Sequence, residues 1–130
     1  MFFPINISGI HWVLITVNIE RKRINYLDSL VTSANTDAYC ADFTDRIRNY
    51  LKQEWEKNKT KGPWVDKDWI TKFPKDVTPQ QKNGSDCGVY VCMFMDYYLE
   101  GKPLSFTEDN IAEARLKMLY YILQSCYAIK

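Results

Sequence analysis

The sequence predicts a single domain that combines β-strands with α-helices. A chain of 130 residues, 46% of them hydrophobic and 15% aromatic, is long enough to bury a core of its own. Two stretches near the N-terminus are rich in β-branched and aromatic residues, which is typical of paired strands. Three later stretches carry apolar residues at helical spacing and therefore indicate helices.

The two strand-like stretches predict a β-hairpin between His11 and Asp28. They flank a charged loop around Arg21-Lys22, and a loop of even length pairs residues whose numbers sum to an odd value. Because side chains alternate along a strand, Asp28 then shares a face with His11. The register remains open, since Asp28 lies opposite either Val13 or Ile15. Twist or a bulge has to close the remaining distance to His11.

The first predicted helix is amphipathic and the second is apolar on most sides. Thr36 is suited to cap the first helix. Its apolar positions recur at helical spacing and are Tyr39, Phe43, Ile47, Tyr50 and Leu51. Residues 69–73 precede a proline and are expected to form a short edge strand. From Cys87 to Leu99 nearly every residue is apolar, so this segment is predicted to be the central, buried helix.

The last predicted helix follows an N-terminal signal at Thr107. Phe106 precedes this cap and Ile111 follows it at the spacing of a hydrophobic staple. The inner face of the helix is expected to hold Met118, Leu119, Ile122 and Leu123.

The net charge and the cysteines of the chain indicate which kinds of molecule it binds and which compartment suits it. Seventeen Lys and Arg against sixteen Asp and Glu leave a net charge of +1, so no global field draws the chain to nucleic acid or to an anionic membrane. No apolar run approaches the roughly 18 residues that cross a bilayer. The four cysteines form no CxxC pair and no secretory signal precedes them, which favours free thiols in a reducing compartment. A protein partner or a small substrate fits these properties best.

Residues 80–88 carry the strongest chemical signal. An Asn-Gly turn delivers Cys87 to the first turn of the apolar helix, where unpaired backbone N–H groups and the helix dipole favour a thiolate. Gly88 leaves room beside the sulfur for a substrate carbonyl, and the backbone N–H of Cys87 is placed to face a developing oxyanion. Gln81 offers a further, neutral donor for that charge.

A thiolate alone does not complete acyl transfer, because a base has to activate it and protonate the leaving amine. His11 is the only histidine, and imidazole suits both tasks near neutral pH. Asp28 is able to accept a hydrogen bond from the remote ring nitrogen, which fixes the tautomer and stabilises the imidazolium. The sequence therefore provides candidates for nucleophile, base and orienting carboxylate.

Each of these residues also has a structural explanation. A cysteine at an apolar helix start is often core filler, a lone histidine at a strand start is often structural, and Asp28 is able to end its strand with an Asx-turn. Trp12 is by default a core aromatic residue. One histidine and no CxxC pair argue against a zinc site, and no cofactor is expected. The remaining thiols are expected to be small buried hydrophobes, namely Cys40, Cys92 and Cys126.

Taken together, the motifs closely resemble the ubiquitin-like-protein-specific proteases that process and remove SUMO. They are His11-Trp12, Asp28-Ser29, Pro79-Gln80-Gln81 and Asn83-Gly84-Ser85-Asp86-Cys87-Gly88. The order His, Asp, Gln, Cys matches that family, and the similarity extends over most of the chain, to about Leu123. On this resemblance Cys87, His11 and Asp28 are expected to form a catalytic triad.

The resemblance implies an α+β, adenain-like cysteine protease fold, in which a twisted and mostly antiparallel sheet packs beside the helix that presents the cysteine. It implies that Gln81 helps to form the oxyanion hole. Trp12 is expected to cover the Gly-Gly tail of the modifier in a channel that admits only glycine. Further contacts with the substrate are expected from Ser85, Asp86 and Gly88. The implied reaction is hydrolysis after the Gly-Gly of SUMO or a related modifier, through a thioester.

Catalytic domains of the family are considerably longer than this chain. Residues 1–130 are therefore expected to be a single catalytic domain that is shortened before the strand at residues 2–5. We expect a monomer with neither nucleic acid nor membrane as a partner, and the family implies a location in the nucleus or the cytoplasm. Two other functions remain open, a non-catalytic module that binds a ubiquitin-like protein and a Cys-His acyltransferase that modifies a protein side chain.

Overall fold

One β-sheet organises the chain, and α-helices pack on both of its faces. The computed structural model describes residues 1–31, 35–58 and 62–128. The strands, in sheet order, are β1 (Phe2–Ile7), β2 (His11–Asn18), β3 (Arg23–Leu27) and β4 (Ile70–Lys72). The first three are antiparallel, and β4 runs parallel to β3. The helices are α1 (Asn35–Lys57), α2 (Cys87–Leu99) and α3 (Ile111–Ala128). The predicted α+β class with a mostly antiparallel sheet is confirmed.

The β2–β3 hairpin has the predicted odd-sum register. Leu14 lies opposite Leu27, and the last pair before the loop joins Asn18 and Arg23. Continuing this register by one residue places Asp28 opposite Val13, which is the first of the two predicted pairings. Side chains alternate between faces along a strand, so Asp28 shares its face with His11, as predicted.

A second hairpin, which the sequence pattern did not indicate, fixes where β2 begins. Ile7 is paired with His11, and Ser8 and Gly9 turn the chain between them with φ angles of 54° and 76°. The Ile10 N–H donates to the carbonyl of Ile7 at 3.1 Å and closes this turn. Gly9 adopts a positive φ without strain, whereas for Ser8 this is an uncommon conformation, so the backbone of the turn is sharply defined. It presents His11 as the first residue of the central strand.

The two faces of the sheet pack against different helices. On one face, odd-numbered residues of β2 such as Val13 and Ile15 form a core with Cys40 and Leu51 of α1. On the other face, a second core joins the sheet to α2 and to the turn before α3, and contains Leu14, Leu27, Tyr90, Phe94 and Phe106. Helix α2 therefore lies centrally, between the sheet and α3, and its N-terminus carries Cys87.

Burial of α2 and α3 is more one-sided than predicted. On α2, Cys92 and Leu99 are exposed, and on α3 Cys126 is exposed as well. The predicted inner face of α3 is wrong for Leu119, Ile122 and Leu123, which are about half exposed. Helix α3 is apolar on two opposite sides, and α2 covers only the side that carries Ile111, Ala114 and Met118. Among the described residues nothing covers the other side.

The helix starts also differ in detail from their prediction. Helix α1 already includes Asn35, so Thr36 lies inside its first turn rather than at the cap. Thr107 precedes a short 3₁₀ turn that leads into α3, and its N–H donates to Asn110 Oδ1 at 2.9 Å. Phe106 and Ile111 are buried in the same core, as the predicted staple requires. No helix in the described ranges combines the length and apolarity that a membrane span needs.

Candidate active site

His11 and Asp28 form a direct hydrogen bond at the end of the β2–β3 hairpin. His11 Nε2 lies 2.8 Å from Asp28 Oδ1. Asp28 is buried, and its Oδ1 also accepts the N–H of Leu30 at 2.8 Å. The register places the two residues diagonally across the strands, a separation that an imidazole is long enough to bridge. The carboxylate is therefore held from two sides and directs the imidazole.

The environment of His11 favours its protonated form. The pKa of His11 is raised from its ordinary value, chiefly because of the hydrogen bond to Asp28 and against an opposing effect of burial. Further contributions in the same direction come from the charge of Asp28 and from the nearby Cys87 thiol. With Nε2 bonded to Asp28, Nδ1 is the ring nitrogen left to face the thiol. The structure thus brings together the three residues predicted to form a triad.

The raised pKa of His11 leads to a testable pH dependence. NMR titration of the only imidazole is expected to give a pKa above 6.5, and Asp28→Asn is expected to lower it. A raised pKa in the folded state stabilises the fold fully below the ordinary value, and this contribution is lost as the pH rises through the folded value. The free energy of unfolding lost in His11→Gln should therefore be larger at pH 6 than at pH 9. An imidazole pKa at or below 6.5 would contradict this.

Cys87 is the first residue of α2 and is only 5% exposed. The first N–H groups of a helix have no partner within it, so the backbone N–H of Cys87 is available to a substrate oxygen. In contrast, Cys40 is a buried thiol on α1, and burial raises its pKa to about 11. The predicted burial of Cys40 is confirmed, whereas the exposed Cys92 and Cys126 are departures from it. None of these three thiols contributes to the pKa shift of His11.

Gln81 is buried and its amide is bonded at both ends. Its Oε1 accepts the hydroxyl of Ser29 at 2.6 Å, and its Nε2 donates to the carbonyl of Asn83 at 2.6 Å. The backbone N–H of Gln81 donates to the carbonyl of Ser29 at 2.7 Å. The predicted oxyanion donor is therefore an ordered part of the loop that leads to Cys87.

Trp12 lies next to the start of α2. A Cβ built on Gly88 would come 4.0 Å from Trp12 Cδ1 and would meet nothing nearer. Trp12 is 40% exposed, so the structure does not bury it as a core aromatic residue. The indole and Gly88 together form an apolar surface beside Cys87.

Asp86, predicted to contact substrate, is occupied by partners within the chain. Its carboxylate accepts the Nδ2 of Asn83 at 2.7 Å and forms an ion pair with Arg115 of α3. Hydrogen bonds from Asn83 and Arg115 hold the pKa of Asp86 below its ordinary value. Ser85 is exposed, and its backbone N–H donates to Asn83 Oδ1 at 2.9 Å. These contacts shape the Cys87 loop, and they leave the predicted substrate contacts of Asp86 and Ser85 as predictions.

Several residues that build the site were not predicted to make these contacts, and Gln80 and Asn83 entered the sequence analysis only as parts of motifs. Gln80 Nε2 donates to the carbonyl of Asp28 at 2.8 Å, and its Oε1 accepts the N–H of Val31 at 2.9 Å. Asn83 Oδ1 accepts the N–H of Asp86 at 3.0 Å. The Asn-Gly turn is a local signal for Asn83, but no local pattern indicates Arg115, which reaches Asp86 from a distant helix. The described residues contain no group of His, Cys, Asp and Glu suited to hold a metal ion.

A thiol at a helix N-terminus, beside an imidazole that a buried carboxylate orients, is typical of enzymes that transfer acyl groups through cysteine. The chain belongs to the Ulp1 protease family, since the model of its C-terminal catalytic domain matches residues 1–126. The resemblance drawn from the sequence motifs is thereby confirmed, and the family is one of cysteine proteases.

Individual relatives agree with this assignment. The chain is 32% identical to ubiquitin-like-specific protease 1A of Arabidopsis thaliana over 126 residues, which are 95% of this chain and 23% of that protein. It is 31% identical to human sentrin-specific protease 2 over 116 residues, which are 88% of this chain and 18% of that protein.

Two solved structures of SUMO protease Ulp1 share the fold. One, with the catalytic cysteine oxidised to a sulfenic acid, gives a TM-score of 0.72 at 31% identity, over 96% of this chain and 52% of that one. The other is the C-terminal Ulp1 protease domain in complex with Smt3, the yeast orthologue of SUMO. It gives a TM-score of 0.70 at 32% identity, over 88% of this chain and 47% of that one. The chain thus spans about half of these solved chains.

Proposed function

We propose that the chain is a thiol isopeptidase and endopeptidase that cleaves after the C-terminal Gly-Gly of SUMO or a related ubiquitin-like modifier. The observation that carries this proposal is the His11–Asp28 hydrogen bond of 2.8 Å. The same histidine also interacts with Cys87. The family match over residues 1–126 supports the reaction class. The complex of a related domain with a SUMO orthologue supports the partner.

In the proposed acylation step, His11 Nδ1 takes the proton of the Cys87 thiol while its Nε2–H donates to Asp28. The thiolate attacks the carbonyl carbon of the terminal glycine, and the carbonyl oxygen becomes an oxyanion. That charge is stabilised by the backbone N–H of Cys87 and by the side-chain amide of Gln81. The imidazolium then protonates the departing amine, which leaves a thioester on Cys87.

Hydrolysis of the thioester reuses the same groups. His11 Nδ1 removes a proton from water as the water oxygen attacks the thioester carbonyl. Collapse of the second oxyanion expels the Cys87 sulfur, which regains its proton from the imidazolium. The products are a free modifier carboxylate and the regenerated thiol.

The shape of the surface beside Cys87 supports selectivity for glycine. The Trp12 indole lies close to Gly88. We expect the modifier tail to pass between the indole and the Cys87 sulfur, where a side chain would clash. A tail without Cβ atoms avoids this clash, whereas alanine at the last position would not. This account predicts that Gly-Gly tails react and Gly-Ala tails do not.

A panel of ubiquitin-like modifiers, each ending in an electrophilic glycine vinyl group, tests the proposed function. We expect a covalent adduct of one modifier on the native chain, located at Cys87 by peptide mass spectrometry. The matched control is the same modifier ending in an alanine vinyl group in place of the terminal glycine vinyl group, which should react far more slowly. Failure of every modifier to label Cys87 would overturn the proposal.

A second candidate function is binding of a ubiquitin-like modifier without turnover. The observation that favours it is the solved complex of a related domain with Smt3, in which the modifier is bound. Titration of the native chain with unmodified SUMO separates the two functions. Saturable binding together with unreactive Cys87 would favour the binding module, whereas an adduct at Cys87 favours the protease.

A further inference from the structure

Ser29 forms a buried pair with Gln81 that the triad and the nucleophile loop do not explain. Ser29 is 1% exposed and Gln81 is 6% exposed. The Ser29 hydroxyl donates to Gln81 Oε1 at 2.6 Å, and the Gln81 N–H donates to the Ser29 carbonyl at 2.7 Å. One hydrogen bond therefore joins the two backbones, and a separate one joins the Ser29 hydroxyl to the end of the Gln81 side chain.

The surroundings allow only one orientation of the Gln81 amide. Its Nε2 lies 2.6 Å from the carbonyl oxygen of Asn83, and a carbonyl oxygen can only accept a hydrogen bond. If the amide were flipped, two acceptor oxygens would face each other at that position. The amide oxygen therefore points toward Ser29, and the Ser29 hydroxyl acts as the donor.

This orientation leaves one N–H of Gln81 uncommitted. The amide nitrogen carries two hydrogens, and the Asn83 carbonyl takes one of them. Within residues 1–31, 35–58 and 62–128, Nε2 makes no second hydrogen bond. A buried donor that is fixed in direction yet lacks a partner is what an oxyanion site requires, because it needs no reorganisation when the charge develops.

We propose that Ser29 is a positioning residue, which holds the Gln81 amide so that its second N–H stays directed at the substrate oxyanion. The inference rests on the proposed function and deepens it. Ser29 lies next to Asp28 in the chain, so a single turn after β3 supplies both the carboxylate that directs His11 and the hydroxyl that directs Gln81. The base and the oxyanion donor are thereby positioned from the same short segment.

The fold should tolerate the test variant. Ser29→Ala removes only the hydroxyl, and the bond from the Gln81 N–H to the residue 29 carbonyl is kept. Gln80 also continues to bind the Asp28 carbonyl and the Val31 N–H. Ser29→Cys, which keeps a weak donor on a slightly larger side chain, provides a second variant. Ser105→Ala, at an exposed position, is the matched control.

A double-mutant cycle on cleavage of a SUMO-linked reporter tests the role. We expect Ser29→Ala to lower kcat about 10-fold with little change in KM, and Gln81→Ala to lower it about 10²- to 10³-fold. The double variant should be no slower than Gln81→Ala alone, because Ser29 acts only through Gln81. Ser29→Cys should lie between the native chain and Ser29→Ala. If Ser29 were purely structural, Ser29→Ala would lower kcat by the same factor with Gln81 present and with Gln81→Ala, and this result would overturn the inference. Full activity of Ser29→Ala would also overturn it.

A second measurement is independent of turnover. Solvent exchange of the Gln81 side-chain amide hydrogens, followed by NMR, should be faster in Ser29→Ala than in the native chain and unchanged in Ser105→Ala. If the native chain shows no cleavage, the proposed function fails, and unchanged exchange would show separately that Ser29 does not hold the amide. Faster exchange with normal kcat would overturn the positioning role while leaving the proposed function intact.

Discussion

Replacing Cys87 by alanine is expected to abolish cleavage of a SUMO conjugate while leaving binding of the modifier intact. The substitution removes the thiol that interacts with His11. Loss of the nucleophile in such a site lowers kcat by about 10⁵-fold or more, because the base and the oxyanion donors have no covalent step left to assist. The measurement is turnover of a SUMO-linked reporter, alongside a calorimetric titration of the variant with SUMO.

The other cysteines of the chain provide matched controls. Cys92→Ala and Cys126→Ala remove exposed thiols from α2 and α3, and each is expected to retain full activity. Cys87 lies at the edge of the core, so its alanine variant should change the free energy of unfolding by only about 1 kcal/mol. Cleavage by Cys87→Ala at the native rate would rule out the proposed nucleophile. Loss of SUMO binding in the same variant would instead implicate the fold.

The parts of the fold that rest on local periodicity could be predicted from the sequence. The parity of the hairpin loop was enough to put His11 and Asp28 on one face, and the paired register bears this out. The nearly continuous apolar run likewise gave the limits of α2, Cys87–Leu99, without error. In both cases the determining interactions are between neighbours in the chain, so the sequence pattern reports them directly.

What the sequence did not reveal depends on contacts between distant segments. Ser29 and Gln81 are 52 positions apart, and Arg115 reaches Asp86 across 29 positions, so no spacing rule links them. The predicted burial of Leu119, Ile122 and Leu123 on α3 was wrong for a related reason. Periodicity marks which residues are apolar, but burial also requires a second surface, and Leu119 and Leu123 have none among the described residues.

A further large effect is expected at Asp28, and two substitutions separate its contributions. Asp28→Ala removes both the acceptor that fixes the His11 tautomer and the charge that raises the pKa of His11. We expect kcat/KM to fall by about 10²- to 10⁴-fold, the range for a general base that loses its orientation. Exposed Asp45, on α1, supplies the control variant Asp45→Asn, which should retain full activity.

Asp28→Asn should be the milder change because of Leu30. The Leu30 N–H bonds to Oδ1, the same oxygen that binds His11, and a backbone N–H can only donate. It therefore selects the asparagine rotamer that keeps an oxygen toward the imidazole and preserves the Nε2–H tautomer. Only the negative charge is lost, so the pKa of His11 should fall and the rising limb of the kcat/KM profile should shift to lower pH. Equal losses in the two variants would show that the charge of Asp28, rather than its orientation of His11, supports catalysis.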